Sequence, residues 1–209
     1  MNGKKNNKKL IKITICILAI FLSVFGAFIA GQIVTIKQIG RAAFTNEQIY
    51  IEETWENPYK DLIKDEVSFY IIETCKSLNF DSDIVVSILL EENPEQNFYT
   101  LNKNNNGSVD CGLFQLNSKY ITYFANKYWA FDKFSDLEED LEFDVFNWQH
   151  NTWMAIHLLK DLYDSFDKDI GKMAMAYNAG ISKVLNNNIP ETTKVYKTEV
   201  LNNYKMLKN

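Results

Sequence analysis

The sequence has little of what marks several large classes of protein. Its 209 residues include only three prolines and eight glycines, which excludes collagen-like and Pro/Gly-rich low-complexity chains. The three cysteines form no C-x-x-C pair, and His150 and His157 lie seven residues apart without an obvious third ligand. We therefore expect no metal site and no cofactor. Hydrophobic residues make up 46% of the chain, which is enough for a packed core.

Acidic residues are absent from the first 41 positions, which carry seven basic ones. The remainder of the chain holds the other 15 basic residues and all 27 acidic ones, a formal charge of −12. Nucleic-acid binding depends on basic side chains that neutralise phosphates. We therefore expect no nucleic-acid partner for this acidic part.

An uncharged apolar run follows the basic start, over residues 13–36. It is apolar on all sides, and about 20 residues of helix span the hydrocarbon core of a bilayer, so it predicts a single transmembrane helix. The alternative is a cleaved signal peptide, whose apolar region would be about 7–15 residues long and would end in small residues at alternate positions. Phe28–Gly31 lacks that pattern. Five lysines precede or open the run, which predicts a cytoplasmic N-terminus and a cell-membrane protein with its remainder outside the cytoplasm.

The apolar run divides the chain into four parts. We expect a cytoplasmic basic tail (1–12), the transmembrane helix (13–36), a stalk (37–60) and a single globular domain (61–209). The stalk is assigned because its polar and aromatic residues show no clean periodicity.

From residue 61 onward, apolar residues recur at helical spacing, which predicts a mainly α domain. Asn79 should end the first helix, and Asp81 or Ser82 should cap the second. Strand signals are few, and Asn106–Gly107 is a candidate hairpin turn within the turn-rich residues 93–116. The helices are expected over 61–78, 82–92, 118–129, 149–165, 169–178, 180–187 and 193–207.

Glu92 is the first candidate for chemistry. It continues the apolar face of its predicted helix, because it lies three and four residues after Leu89 and Ile88, whereas Glu91 points toward a more polar side. A partly desolvated carboxyl has a pKa above its reference of about 4.3, which suits a general acid at neutral pH. The alternative is a helix-terminal glutamate that extends into water or pairs with a lysine.

A second candidate lies in residues 102–117. A turn-forming loop there leads into a buried Gly-Leu-Phe-Gln stretch, where Gly112 permits close backbone approach and Gln115 offers its amide to a ligand. The loop also partly matches a calcium-binding loop. Position 12 of that pattern, however, is Leu113 instead of glutamate, and its first three ligand positions are uncharged.

A third patch is the sequence AYNAG, residues 176–180, at the end of an apolar helix. Tyr177 and Asn178 present polar tips there, and Gly180 can cap the helix. By itself this pattern is typical of any tight helix end.

Taken in order, five segments of the chain resemble the lysozyme-like lytic transglycosylase domain, the group that includes soluble lytic transglycosylases and goose-type lysozymes. The segments are DSDIVVSILLEEN (81–93), NGSVDCGLFQLN (106–117), Asn151 with Ala155 and Leu159, AYNAG (176–180), and IPETTKVY ending at Tyr196. The resemblance spans about residues 61–205 and implies a lysozyme-like fold.

The resemblance also implies roles for individual residues. Glu92 matches the family's catalytic glutamate. The matching substrate-binding positions are Asn93, Gln115, Tyr177, Asn178 and Tyr196, while Gly112 and Gly180 are structural. The chain departs from the family pattern at Asn93, where serine is usual, and over residues 94–99, which look one residue longer.

The implied activity is non-hydrolytic cleavage of the β-1,4 bond between N-acetylmuramic acid and N-acetylglucosamine in peptidoglycan glycan strands. Glu92 would act first as acid and then as base, and the product would carry a 1,6-anhydro end. One alternative is a hydrolytic muramidase, for which Asp110 is the available second carboxylate. Another is an inactive wall-binding scaffold that serves a secretion or conjugation machine.

The cysteines leave one structural question open. Cys75 and Cys111 lie in the part expected outside the cytoplasm, where a disulfide can persist, but their spacing does not pair them. Two separate buried thiols are the alternative. Cys16 lies within the apolar run, where it is expected only to pack.

Overall fold

The computed structural model of the protein describes residues 55–129 and 143–209. The predicted basic tail, the predicted transmembrane helix and most of the predicted stalk lie outside these ranges, as does Cys16. Among the helices of the described residues, none is both long and apolar enough to cross a bilayer.

Two consecutive helices begin the described fold, α1 (Asp65–Leu78) and α2 (Ser82–Glu92). Asn79 ends α1 in a left-handed conformation with φ of 49°, and the Asp81 side chain caps α2 by accepting the N–H of Asp83. Both capping predictions are confirmed. Six consecutive residues of α2 are buried, which makes it a central element of the core.

A small antiparallel sheet follows α2. Its strands are β1 (Leu101–Lys103), β2 (Val109–Cys111) and β3 (Leu116–Asn117), paired in that order. Gly107 has φ of 80° in the turn between β1 and β2, which confirms the predicted hairpin turn.

The register of the sheet separates two faces. Asn102, Asp110 and Asn117 lie directly opposite one another across the three strands. The next pair, Cys111 and Leu116, is buried in the core. One face of the sheet is therefore polar and the other belongs to the core.

The remaining helices follow the predicted order, with one difference. They are α3 (Ile121–Phe124) with a π-helical turn (Ala125–Trp129), α4 (Trp148–Ser165), α5 (Ile170–Ala179), α6 (Ile181–Leu185) and α7 (Glu191–Leu207). The helix predicted from residue 118 begins later because Ser118 bonds the backbone of Val109 through its own N–H and hydroxyl. Ser118 therefore extends the sheet.

The globular domain begins earlier than predicted. Tyr59 is only 6% exposed, and Asn57 bonds the Ile63 carbonyl and the Ser68 hydroxyl. Trp55 also packs its ring edge-on against Phe69. Residues 55–60, which the sequence assigned to the stalk, therefore belong to the domain. Their aromatic and polar side chains make specific contacts that no periodicity reveals.

Cys75 and Cys111 are separate buried thiols. Of the two possibilities left open by the sequence, the structure has the unpaired one. Burial raises the pKa of both thiols, which keeps them protonated at neutral pH.

Gly112 and Asn151 hold the sheet against α4. The Asn151 side chain donates to the Cys111 and Val145 carbonyls, at 3.1 and 3.0 Å, and accepts the N–H of Phe114 at 2.8 Å. Gly112 has φ of +75°, and a Cβ there would lie 2.4 Å from the Asn151 amide nitrogen. Only glycine fits this close approach without strain.

We predict that Gly112→Ala destabilises the domain by about 3 kcal/mol, because it combines left-handed strain with a steric clash against Asn151. The matched control is Gly107→Ala. Gly107 has a similar φ of +80° but open space around it, so the expected loss is about 1 kcal/mol. Chemical denaturation of both variants measures the difference, and equal losses would contradict the role given to the Asn151 contact.

Candidate active site

Glu92 is the last residue of α2 and follows its fully buried residues Ile88 and Leu89. The Tyr196 hydroxyl donates a 2.6 Å hydrogen bond to its Oε1 atom. Removal from water raises the pKa of Glu92 to about 7, and the negative charges of Asp110 and Glu91 act in the same direction, whereas the Tyr196 bond opposes the shift. A carboxyl with this pKa can give up and take back a proton near neutral pH.

The last helix supplies the partner of Glu92. Thr193, Tyr196 and Val200 form the buried face of α7. Tyr196 bonds α2, and the Thr193 hydroxyl donates to the Asn178 side chain at the end of α5, at 2.7 Å. Helix α7 is therefore fixed to two other helices close to the carboxyl. Sequence analysis missed Thr193, although its spacing of three residues from Tyr196 places it on the same face.

Tyr177 connects α5 to the loop between β2 and β3. Its hydroxyl donates to the Phe114 carbonyl at 2.6 Å. Burial raises its pKa far above the ordinary value, and the charges of Glu92 and Asp110 raise it further. Tyr177 therefore holds the end of α5 against this loop, and the charges of Glu92 and Asp110 act on it.

Asn178 and Gly180 end helix α5. Asn178 is exposed, and its side-chain oxygen Oδ1 accepts a hydrogen bond from the Thr193 hydroxyl. Gly180 has φ of 91°, and its N–H donates to the Ala176 carbonyl. Gly180 therefore caps α5, while a contact between Asn178 and a saccharide stays a prediction.

Gln115 lies at the predicted place, but its amide is engaged within the protein. Its oxygen accepts from Asn102 at 2.6 Å and its nitrogen donates to the Gly112 carbonyl at 2.7 Å. The side chain is 7% exposed and its backbone φ is 50°. Gln115 therefore shapes this loop, and a ligand contact would have to replace an internal bond.

Asn93 is similarly engaged. Its side chain accepts the N–H of Asn97 at 3.1 Å and donates to the carbonyl of the same residue at 2.8 Å. These bonds close the loop that follows Glu92. The expected contact between Asn93 and a sugar stays a prediction.

Asp110 projects from the polar face of the sheet. Its two carboxylate oxygens accept from the side-chain amides of Asn104, at 2.9 Å, and Asn117, at 2.6 Å. Asn106 accepts both the N–H and the hydroxyl of Ser108, so the hairpin is held by its own side chains. The turn-forming interpretation accounts for this loop better than the calcium pattern, because amide N–H groups face Asp110 where that pattern needs oxygen ligands.

The chain is similar to known proteins both in sequence and in fold. Residues 69–199 match the family described as Transglycosylase SLT domain. The chain is also similar to the structure of an inactive mutant of lytic transglycosylase Slt from Pseudomonas aeruginosa, with 14% sequence identity and a TM-score of 0.54. That match covers 74% of this chain and 26% of that chain, and at this identity it shows a shared fold. No curated protein matches the chain.

We predict that Glu92→Gln makes the domain more stable than the wild type as pH rises. The raised pKa means that the contribution of Glu92 to stability is fully present below about 4.5 and is lost as pH rises through about 7. The amide has no such loss, so the stability difference should change by up to about 3 kcal/mol between pH 4 and pH 8. Urea denaturation at several pH values measures it.

The control for this prediction is Glu95→Gln, which changes an exposed carboxyl in the following loop. Its effect on stability should be small at every pH, because water solvates that side chain in both states. A Glu92→Gln difference that stays flat with pH would contradict the burial of the Glu92 carboxyl.

Proposed function

Because the chain belongs to the transglycosylase SLT domain family, we propose that it is a peptidoglycan lytic transglycosylase. The observation that carries the proposal is the half-buried Glu92 carboxyl, which accepts a hydrogen bond from Tyr196 and has its pKa raised to about 7. One such group can serve as acid and base in turn, whereas most glycosidases need two carboxylates. The lysozyme-like, mainly helical fold supports the same assignment.

The first step is protonation of the leaving group. Protonated Glu92 donates its proton to the glycosidic oxygen between N-acetylmuramic acid and N-acetylglucosamine as the bond from that oxygen to the anomeric carbon breaks. The 2-acetamido group of the substrate stabilises the positive charge that develops on this carbon. Glu92 becomes a carboxylate, and the hydrogen bond from Tyr196 stabilises that charged form.

The second step closes the ring. The Glu92 carboxylate accepts the proton of the muramic acid 6-hydroxyl, and that oxygen bonds the anomeric carbon to form a 1,6-anhydro end. The nucleophile belongs to the substrate itself, so its effective concentration is high and no water is consumed. Glu92 thereby regains the proton that it donated in the first step and is ready for another cycle.

We also propose that the enzyme is anchored in the cell membrane through residues 13–36, with the catalytic domain outside the cytoplasm. The long uncharged run and the five lysines before or at its start support this orientation. Peptidoglycan strands are then the substrate within reach. A secretion or conjugation machine as a partner stays a prediction from the sequence resemblance.

A specific observation favours hydrolysis as the second candidate function. Asp110 is close enough for its charge to raise the pKa of Glu92, and two amides hold its carboxylate in place. Such a carboxylate could orient a water molecule or stabilise the cation at the anomeric carbon. Asn117 and Asn104 engage both of its oxygens, which is why we favour the single-carboxyl mechanism.

The test is mass spectrometry of the products that the 209-residue chain, solubilised in detergent, releases from intact peptidoglycan. We expect anhydro-muropeptides, and a loss of at least about 100-fold in their release with Glu92→Gln. The control is Asp110→Asn, which should leave the anhydro products in place. Ordinary reducing ends that disappear with Asp110→Asn would instead identify a hydrolase. Glycan binding without any cleavage would support the scaffold alternative.

A further inference from the structure

Residues 57–64 lead into α1, and they contact both ends of the catalytic helix α2. We call them the strap. At the start of α2, the Tyr59 hydroxyl bonds the side chains of Ser82 and Asp83. At the other end, the strap bonds the loop that follows Glu92. The strap therefore runs beside α2 from its first turn to the residues just after its last.

The bonds at the second end converge on Gln96. The Lys64 N–H donates to the Gln96 side-chain oxygen at 2.8 Å, and the Gln96 amide donates to the Leu62 carbonyl at 2.9 Å. The Lys64 ammonium group adds a bond to the Gln96 carbonyl at 3.2 Å and lies 4.4 Å from the centre of the Phe98 ring. Gln96 is 7% exposed whereas Lys64 is exposed, so these bonds are partly shielded from water.

A short chain of bonds connects Gln96 with Glu92. The Gln96 N–H donates to the Asn93 carbonyl, and the Asn93 N–H donates to the Leu89 carbonyl in the last turn of α2. Gln96 also has φ of 50°, a left-handed conformation that costs a residue with a side chain about 1 kcal/mol or more. Its bonds to the strap compensate for that cost.

This loop is where the chain departs from the family pattern. Residues 94–99 look one residue longer than is usual, and Asn93 stands where serine is common. The structure uses both departures, since Asn93 closes the loop on Asn97 and Gln96 receives the strap. Both departures therefore have a structural role in this protein, because the side chains of Asn93 and Gln96 make the bonds that hold this loop.

Resting on the proposed function, we propose that Gln96 is a positioning residue for catalysis. Gln96 bonds the loop after Glu92 to residues 62–64, which keeps the last turn of α2 helical. The Glu92 carboxyl is thereby held within hydrogen-bonding distance of Tyr196. The segment through which the chain enters the domain thereby helps to set the geometry of the active site. Without these bonds the last turn would fray, and water would reach the carboxyl.

The test compares two variants that each remove polar atoms from the strap contacts at opposite ends of α2. Gln96→Met keeps about the volume of the side chain but loses the side-chain bonds to the Lys64 N–H and the Leu62 carbonyl, while the bond from the Lys64 ammonium group to the backbone carbonyl of residue 96 remains. Tyr59→Phe is the matched control, because it loses the bonds to Ser82 and Asp83 far from Glu92. The readouts are the titration midpoint of the Glu92 carboxyl, followed by NMR with ¹³C-labelled glutamate, and the kcat for glycan cleavage.

We expect Gln96→Met to lower the midpoint of Glu92 by about one pH unit, because hydration of the carboxyl favours its charged form, and to lower kcat about tenfold. Tyr59→Phe should leave both unchanged even if it lowers thermal stability. Lys64→Met, which removes one bond to Gln96, should shift the midpoint in the same direction by less. That variant keeps the test decisive if Gln96→Met does not fold.

The other titratable groups that interact with Glu92 are common to all variants. They are Tyr196 on α7, Tyr177 on α5, Asp110 on β2 and Glu91 on α2 itself. A midpoint that does not move in Gln96→Met, or one that moves equally in Tyr59→Phe, would overturn the positioning role. The NMR titration of Glu92 does not depend on catalytic activity. A protein that leaves peptidoglycan intact would therefore refute the proposed function, while the titration would still test the positioning role of Gln96.

Discussion

The hydrogen bond from Tyr196 to Glu92 joins the last helix of the chain to the end of a largely buried helix, at a carboxyl that has little water around it. A buried carboxyl needs such a donor, and the donor needs a fixed helix. Thr193 fixes α7 one turn earlier through Asn178. Asn151 fixes the loop to which Tyr177 is bonded. The packing of the domain thus determines the proton affinity of one side chain.

The raised proton affinity of Glu92 affects both the stability of the domain and the proton transfers proposed for it. The pKa of Glu92 is about 7 in the folded protein, so its ionisation destabilises the fold as pH rises through that value. The same raised pKa suits a group that must donate and accept a proton near neutral pH. Tyr196 moderates the effect, because its bond favours the carboxylate that would form after the proton leaves. The negative charge of Asp110 instead raises the pKa of Glu92. The carboxylate oxygens of Asp110 accept hydrogen bonds from the side chains of Asn104 and Asn117. Glu92 is therefore partly desolvated and has a pKa of about 7, close to neutral pH.

Much of this arrangement could be predicted from the sequence. The helical spacing from Ile88 to Glu92 identified the half-buried carboxyl, and Asn79, Asp81 and Gly180 gave the helix ends, since local patterns determine these features. The partners of amide side chains could not be predicted in the same way. Asn93 and Gln115 were expected to face a ligand, but each bonds backbone atoms that only the folded loops bring near. The strap was missed for the same reason, because it has no periodicity.

The central claim is that one carboxyl performs both proton transfers and that water takes no part. The most direct measurement is cleavage of peptidoglycan in water enriched in oxygen-18, followed by mass spectrometry of the new glycan ends. The account predicts ends that contain no heavy oxygen, since the muramic acid 6-hydroxyl supplies the nucleophile. One heavy oxygen in each new end would contradict it and would identify hydrolysis, with Asp110 as the second carboxylate to examine.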